Sequence, residues 1–393
     1  MASFSSRRNI KPANPSMTAR KRWIKWLFQA AILAVVGWGV VSSVRKSAVQ
    51  LAAQREQLSV AAERLRERSS AAELSGDPHR AQVLSAEAVA VEHSVRRFWQ
   101  ADPWGLLAAG VLYGVGMLPG SLFWRQCLRA LDQPTHLLTI LWAYFYGNLG
   151  KYFPGKAMVI VLRLTALERL GIKKVATSIT IFMETLTMMS VGGAVAGLCM
   201  IALNIDWRLT LLSVGLLIAT FIPTFPPILR WLLPKLQRGV DPQLLKAWSD
   251  RIQGRLFFRG WLWLSLTWLA FGLSLLVVMR SLPIADLEHT TPLALWLSCC
   301  GACALAVVLG FVSLLPGGAG VREAVLSIVL TPVVGPAAAL CGAVWLRVVW
   351  LATELLMVGL LFVVRWLMKK RGVALQHQAS HQQGLQQQLR ARV

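Results

Sequence analysis

Residues 313–323 read Ser-Leu-Leu-Pro-Gly-Gly-Ala-Gly-Val-Arg-Glu and interrupt about fifty residues of otherwise apolar sequence. Pro316 removes a backbone donor, and Gly317, Gly318 and Gly320 permit dihedrals that other residues avoid. Arg322 and Glu323 then open the next helix. A planar guanidinium can bind two phosphate oxygens at once. A helix start adds free N–H groups and a partial positive charge. The chemistry these residue types support is recognition of an anion such as a phosphate. A weaker partner lies upstream, Gly147-Asn-Leu-Gly-Lys151-Tyr-Phe-Pro154-Gly155-Lys156, also set in an apolar run. Four more ionisable groups stand inside long apolar stretches: Arg163, Glu184, Arg347 and Glu354. Arg347 and Glu354 are seven residues apart, which puts them on one helix face about two turns from each other. They can pair with one another, pair with charges elsewhere in the bundle, or contact an anionic ligand. A cavity drawn from Lys151, Lys156, Arg163, Arg322 and Arg347 would attract a phospholipid head group.

The elements that must hold these groups are helices in a membrane. Of 393 residues 55% are hydrophobic and only 15% charged, and several apolar stretches are long enough to cross a hydrocarbon core of ~30 Å. There, every unpaired N–H or C=O costs several kcal/mol, so a Pro/Gly break survives only where it is buried in protein or lines a wet cavity. Two such breaks, one in each half of the chain, point to a transporter-like site. The net charge of +23 would suggest nucleic acid in a soluble chain. Here the basic residues flank the apolar runs, where they set topology and attract anionic lipid. No nucleic-acid partner is expected. The six cysteines, including the Cys300-Gly-Ala-Cys303 pair, lie in or beside apolar helices with no second pair or nearby histidine. They read as small packing residues, and neither metal nor cofactor is expected.

In chain order, residues 1–25 carry seven Lys/Arg and no acid. An apolar run at 26–44 follows and reads as an uncleaved anchor with a cytoplasmic N-terminus. Residues 45–103 hold nine basic and eight acidic residues, with Leu51, Leu58 and Leu65 at seven-residue spacing and a Gly76-Asp77-Pro78 interruption. A helical hairpin outside the membrane is expected, with an envelope protein as a possible partner. The main bundle covers 104–366. It contains a span at 104–124, a re-entrant hairpin at 137–164, spans at 175–203, 209–229, 261–281 and 294–312, the second break, and a long run from 336 to 364. Positive-inside parity requires that 316–336 cross or that the long run be broken. Residues 230–260 carry seven basic residues with interleaved Trp and Leu and suggest a cytoplasmic interfacial segment. The tail, 367–393, is basic and then Gln-rich, and is expected to be disordered and cytoplasmic. Gly110/Gly114, Gly116/Gly120 and Gly193/Gly197 are G-x-x-x-G pairs that favour close helix approach. The expected fold class is all-α integral membrane: a multi-pass helical bundle with re-entrant, broken helices plus an N-terminal extracytoplasmic hairpin.

Pro316-Gly-Gly-Ala-Gly-Val-Arg-Glu323, with Arg347 some two dozen residues later, resembles the signature of the lysylphosphatidylglycerol synthase transmembrane, or flippase-like, family. Gly150-Lys-Tyr-Phe-Pro-Gly-Lys156 is similar to that family's first loop motif, and Met183-Glu184-Thr185 stands where the family has Glu-Arg. The resemblance covers about 104–366 and leaves the anchor and the 45–103 hairpin outside. It implies a bundle with re-entrant helices. In the multiple peptide resistance factor it also implies movement of aminoacylated phosphatidylglycerol between leaflets. There, aminoacyl transfer belongs to a separate cytoplasmic domain, and about 28 residues after the last span are too few for one.

The leading expectation is an inner-membrane protein that translocates, or helps to translocate, a phospholipid or lipid-linked substrate. The expected binding residues are Lys151, Lys156, Arg163, Glu184, Pro316, Gly317, Gly318, Gly320, Arg322, Glu323, Arg347 and Glu354. One alternative is an integral-membrane transferase on a lipid-linked donor, which would need a carboxylate or histidine at the membrane face; all six histidines lie outside the spans, and the carboxylates in or bordering the core are Glu168, Glu184, Glu323 and Glu354. Another is a non-catalytic envelope scaffold. Loss of Arg322 or Arg347 is expected to abolish activity with little change in protein abundance.

Overall fold

A computed structural model describes residues 59–97 and 100–390, apart from 154–156, 169–171, 204–206, most of 223–250, 253, 284–286, 288–289 and 314, together with a few isolated positions before 59. The anchor at 26–44, Leu51, Leu58, Lys156 and most of 230–260 lie outside the described residues. All regular elements among the described residues are helical.

Helices α1 (59–74) and α2 (Pro78–Arg97) form the hairpin. Gly76 turns the chain at φ 78°, Pro78 begins α2, and the Asp77 carboxylate accepts the Arg80 N–H at 3.0 Å. Of the leucines at seven-residue spacing only Leu65 lies among the described residues, beside a buried seam. That seam runs through Ala62, Ser69 and Ala72 on α1 and Ala81 and Ala88 on α2, with the Ser69 hydroxyl donating to the Ala81 carbonyl at 2.8 Å. The repeat of seven is present, but small side chains carry it, because two helices can approach closely only where Cβ substituents are short.

The bundle comprises α3 (Pro103–Ala130), α4 (Leu137–Asn148), α5 (Ala157–Leu167), α6 (Lys174–Ala202), α7 (Trp207–Phe221), α8 (Gly254–Arg280), α9 (Pro292–Val312), α10 (Val321–Val334) and α11 (Pro336–Arg390). Local signals set several starts. Asp102 caps α3 by accepting from the Trp104 and Gly105 amides, with Pro103 at the first helical position. Thr291 caps α9 ahead of Pro292. Among the described residues six segments are long and apolar enough to cross a membrane: Pro103–Ala130, Lys174–Ala202, Gly254–Arg280, Pro292–Val312, Pro316–Val334 and Ala338–Met368. Pro316–Val334 is among these segments, which is one of the two alternatives that the Lys/Arg parity left open. By contrast α7, expected to run over 209–229, has 15 residues and rises only about 22 Å.

Helices α4 and α5 have 12 and 11 residues, so neither spans about 30 Å alone, and they pack against each other as a re-entrant hairpin. The Gln-rich tail departs from the expected disorder: α11 continues to Arg390. Gln, Leu, Ala and Arg are good helix formers, and no proline follows Pro336.

Helix α9 lies at the centre, with Cys299, Cys300, Ala302, Cys303, Ala304, Leu305, Ala306 and Val308 all buried against α6, α8 and α10. Its cysteines act as small residues. A Cβ on Gly272 of α8 would come within 2.7 Å of the Cys300 Cα. The glycine pairs of α3 divide between neighbours, Gly110 and Gly114 facing Thr353 on α11 and Gly116 facing Ala270 and Phe271 on α8. Leu356, Leu360, Phe362 and Val363 on α11 are exposed, as an outer wall facing lipid requires.

Candidate functional site

The two Pro/Gly breaks, more than 160 residues apart in sequence, meet in the structure. The first is a 3₁₀ turn, Leu149–Tyr152, between α4 and α5; the second is a 3₁₀ turn, Pro316–Gly318, between α9 and α10. Gly317 adopts φ 60°, Gly318 φ 66° and Gly320 φ 84°, the left-handed region that side chains with a Cβ rarely occupy. Any Cβ on Gly317 would stand 3.2 Å from the Tyr152 ring and 3.3 Å from an Arg347 guanidinium nitrogen.

At this junction lies a cavity of about 30 Å³, lined by Lys151 and Tyr152 from the first break, Gly317, Arg322 and Glu323 from the second, Cys303 and Ala306 from α9, and Arg347 and Trp350 from α11. That volume suits one or two waters rather than a head group. Two ion pairs flank it. Lys151 donates to Glu354, which is fully buried and also accepts from the Tyr113 hydroxyl and, at 3.1 Å, from the Tyr152 hydroxyl. Arg347 donates to Glu323, whose other oxygen accepts the Gly320 N–H at 2.8 Å and so caps α10. The equal spacing of Arg347 and Glu354 on α11 therefore serves two different pairs rather than one.

Arg322 stands apart. Its Nε is buried and has no hydrogen-bond partner, and among the described residues no carboxylate pairs with it. Its stem packs where glycines leave room, since a Cβ on Gly310 would come within 2.8 Å of its Cγ and one on Gly318 within 2.8 Å of its Nε.

Arg163 and Glu184 do not join this site. The Arg163 guanidinium donates to Glu184 at 2.8 Å and to the Asn148 side-chain oxygen at 3.3 Å, and its Cζ lies 4.6 Å from the Trp124 ring centroid and 4.5 Å from that of Tyr144. The Tyr144 hydroxyl donates to the same carboxylate at 3.3 Å. Both charged residues are only 2% exposed. This is an enclosed ion pair between two aromatic faces, tying α5 to α6, α3 and α4. Of the other sequence-derived residues, Lys151, Gly317, Arg322, Glu323, Arg347 and Glu354 converge, with Pro316, Gly318 and Gly320 shaping the backbone beside them. Lys156 lies outside the described residues.

Sequence reasoning missed the tyrosines. The chain has four Tyr against 17 Trp and 14 Phe, and three of the four, Tyr113, Tyr144 and Tyr152, end on an intramembrane carboxylate. That scarcity was the available signal: a hydroxyl inside an apolar helix must find a partner. Trp350 was missed too. It stacks on Tyr113 at 4.3 Å between centroids and donates to the Ser274 hydroxyl at 3.2 Å, which tightens α11 against α3 and α8.

A bundle that is all-helical among the described residues, with six membrane-length segments there and two apposed breaks, defines a multi-pass integral membrane protein. The chain belongs to the family described as Lysylphosphatidylglycerol synthase TM region, whose model matches residues 81–357. The match starts within α2, so the family region takes in part of the hairpin that the sequence motifs had left outside it. A shorter likeness joins 136 residues, 34% of this chain, to Synaptic vesicle 2-related proteins, at 28% identity in Xenopus laevis and 26% in Bos taurus. The match spans 23% of the length of those curated relatives.

Proposed function

We propose that this protein moves, or helps to move, a lipid bearing an anionic head group, free or lipid-linked, between the leaflets of a bacterial-type inner membrane. Arg322 carries this reading: a guanidinium beside a cavity at membrane depth, with a buried nitrogen lacking an acceptor and no carboxylate partner among the described residues. An uncompensated charge in apolar surroundings is costly and is retained where a ligand supplies the missing partner. Lys151 and Arg347 line the same cavity, each held by one carboxylate that an entering phosphate oxygen can replace. The cavity is closed to a head group in the conformation described. Entry therefore requires the two 3₁₀ turns to separate, and broken helices permit that motion because their turns lack a continuous hydrogen-bond ladder. Membership of the family supports a lipid-facing role. The Lys/Arg distribution supports cytoplasmic N- and C-termini.

The test is lipid exchange between leaflets in proteoliposomes holding the purified full-length chain, with a panel of acyl-labelled lipids. Faster exchange of anionic lipid than in empty vesicles, lost in Arg322→Ala, is the expected result. Mass spectrometry of the same vesicles distinguishes a transferase, which changes the lipid species present, from a translocase, which changes only their location.

A further inference from the structure

The charges around the cavity also define what kind of anion it accepts. Resting on the translocation reading above, we infer that the site selects head groups carrying one net negative charge, a phosphodiester with no compensating amine, over zwitterionic head groups and doubly charged phosphomonoesters. Among the described residues five Lys, Arg and Glu side chains meet there: Lys151, Arg322, Glu323, Arg347 and Glu354. The Lys151–Glu354 contact sums to zero whichever partner holds the proton, and the Arg347–Glu323 pair sums to zero as well. The Tyr113 and Tyr152 hydroxyls donate to Glu354 and add no charge. Among the described residues, what remains is the single positive charge of Arg322.

In a low-dielectric site the favoured occupied state is electrically neutral, because residual charge is poorly screened. One negative charge achieves this. A dianion leaves an excess negative charge beside Glu323 and Glu354, and a zwitterion places an ammonium among three cations. The two internal pairs set the register: they hold Lys151 and Arg347 at the cavity wall as donors without making them net attractors. Glu354 and Arg322 are therefore specificity-determining residues, one subtracting a charge and the other supplying it.

The experiment compares leaflet exchange of acyl-labelled phosphatidylglycerol, phosphatidylcholine and, at pH 8, phosphatidic acid by the full-length chain in proteoliposomes. Rates are read as ratios between head groups within one preparation, so a variant that yields less folded protein is still informative. The wild type is expected to move phosphatidylglycerol at least roughly tenfold faster than phosphatidylcholine. Glu354→Gln raises the site by one charge and shifts the ratio toward phosphatidic acid, whereas Arg322→Gln brings the site to neutrality and shifts it toward phosphatidylcholine. The double variant Lys151→Gln/Glu354→Gln keeps the single charge of Arg322 and is expected to keep the wild-type order. Exchange of all three lipids at one rate, or an order that neither single variant changes, overturns the charge-matching inference and leaves translocation standing. A wild type that exchanges no lipid faster than empty vesicles removes the translocation reading and this inference with it.

Discussion

At the scale of single residues, the three intramembrane arginines differ in what they leave behind when removed. Arg322 has no carboxylate partner among the described residues, so Arg322→Ala strands no buried charge. Its thermal midpoint in detergent is expected to stay close to wild type while exchange of anionic lipid is lost. Arg322→Lys is expected to restore exchange only in part, since an ammonium cannot present the same fork. Arg347→Ala is different: it removes the ion-pair partner of Glu323, which is 5% exposed and otherwise accepts the Gly320 amide. Breaking such a pair costs about 3 kcal/mol or more. Reduced abundance and a lowered unfolding temperature are therefore expected, contrary to the equal treatment that sequence alone suggested for Arg322 and Arg347. Arg163→Ala belongs with Arg347→Ala. It isolates Glu184 and empties a space between two aromatic rings, so thermal-shift measurements should show loss of folded protein rather than a selective loss of exchange.

At the scale of elements, close approach of backbones holds the re-entrant hairpin and its neighbours. A Cβ on Gly150 would lie 2.7 Å from the Met158 carbonyl carbon and 2.7 Å from the Val159 Cα. These are backbone atoms of α5 that cannot swing away. Gly150→Ala is expected to destabilise by roughly 1–3 kcal/mol through this overpacking and to pull the first break away from the second. Gly215 on α7 has nothing within 4 Å of its Cβ position, so Gly215→Ala should leave the unfolding temperature unchanged or slightly raised, because alanine is the better helix former by about 1 kcal/mol. Equal destabilisation by the two substitutions, measured by thermal unfolding in one detergent, would rule out close packing at Gly150 as the cause.

For the whole molecule, the order of crossings follows from the charge flanking each span. From that charge we propose that the hairpin lies outside and the loop before α6 on the cytoplasmic side. An impermeant thiol reagent applied to intact cells is expected to label a cysteine placed at Ser75, in the hairpin turn, and not one placed at Lys174, at the start of α6. Labelling at Lys174 from outside would invert the arrangement and place the cavity's basic residues in the opposite order along the transport path.

The sequence by itself determined the class, the long apolar runs and the two breaks, because hydrocarbon thickness and the cost of unpaired backbone groups act on composition and length alone. It also placed charge at membrane depth, since Lys, Arg and Glu are visible wherever they fall in an apolar run. Partnership was decided only in three dimensions. Arg347 takes Glu323 rather than Glu354, Lys151 reaches across to Glu354, and Arg163 withdraws with Glu184 into an aromatic enclosure. Helical spacing reports which side chains share a face of one helix, whereas an ion pair between helices depends on which helices pack and how far each is rotated and shifted along its axis. Those quantities are set by small-residue contacts such as Gly110 and Gly114 against Thr353, spread over several segments of the chain. The same packing leaves Arg322 as the charge for which the described residues provide no partner, a property of the folded arrangement that no single segment of sequence contains.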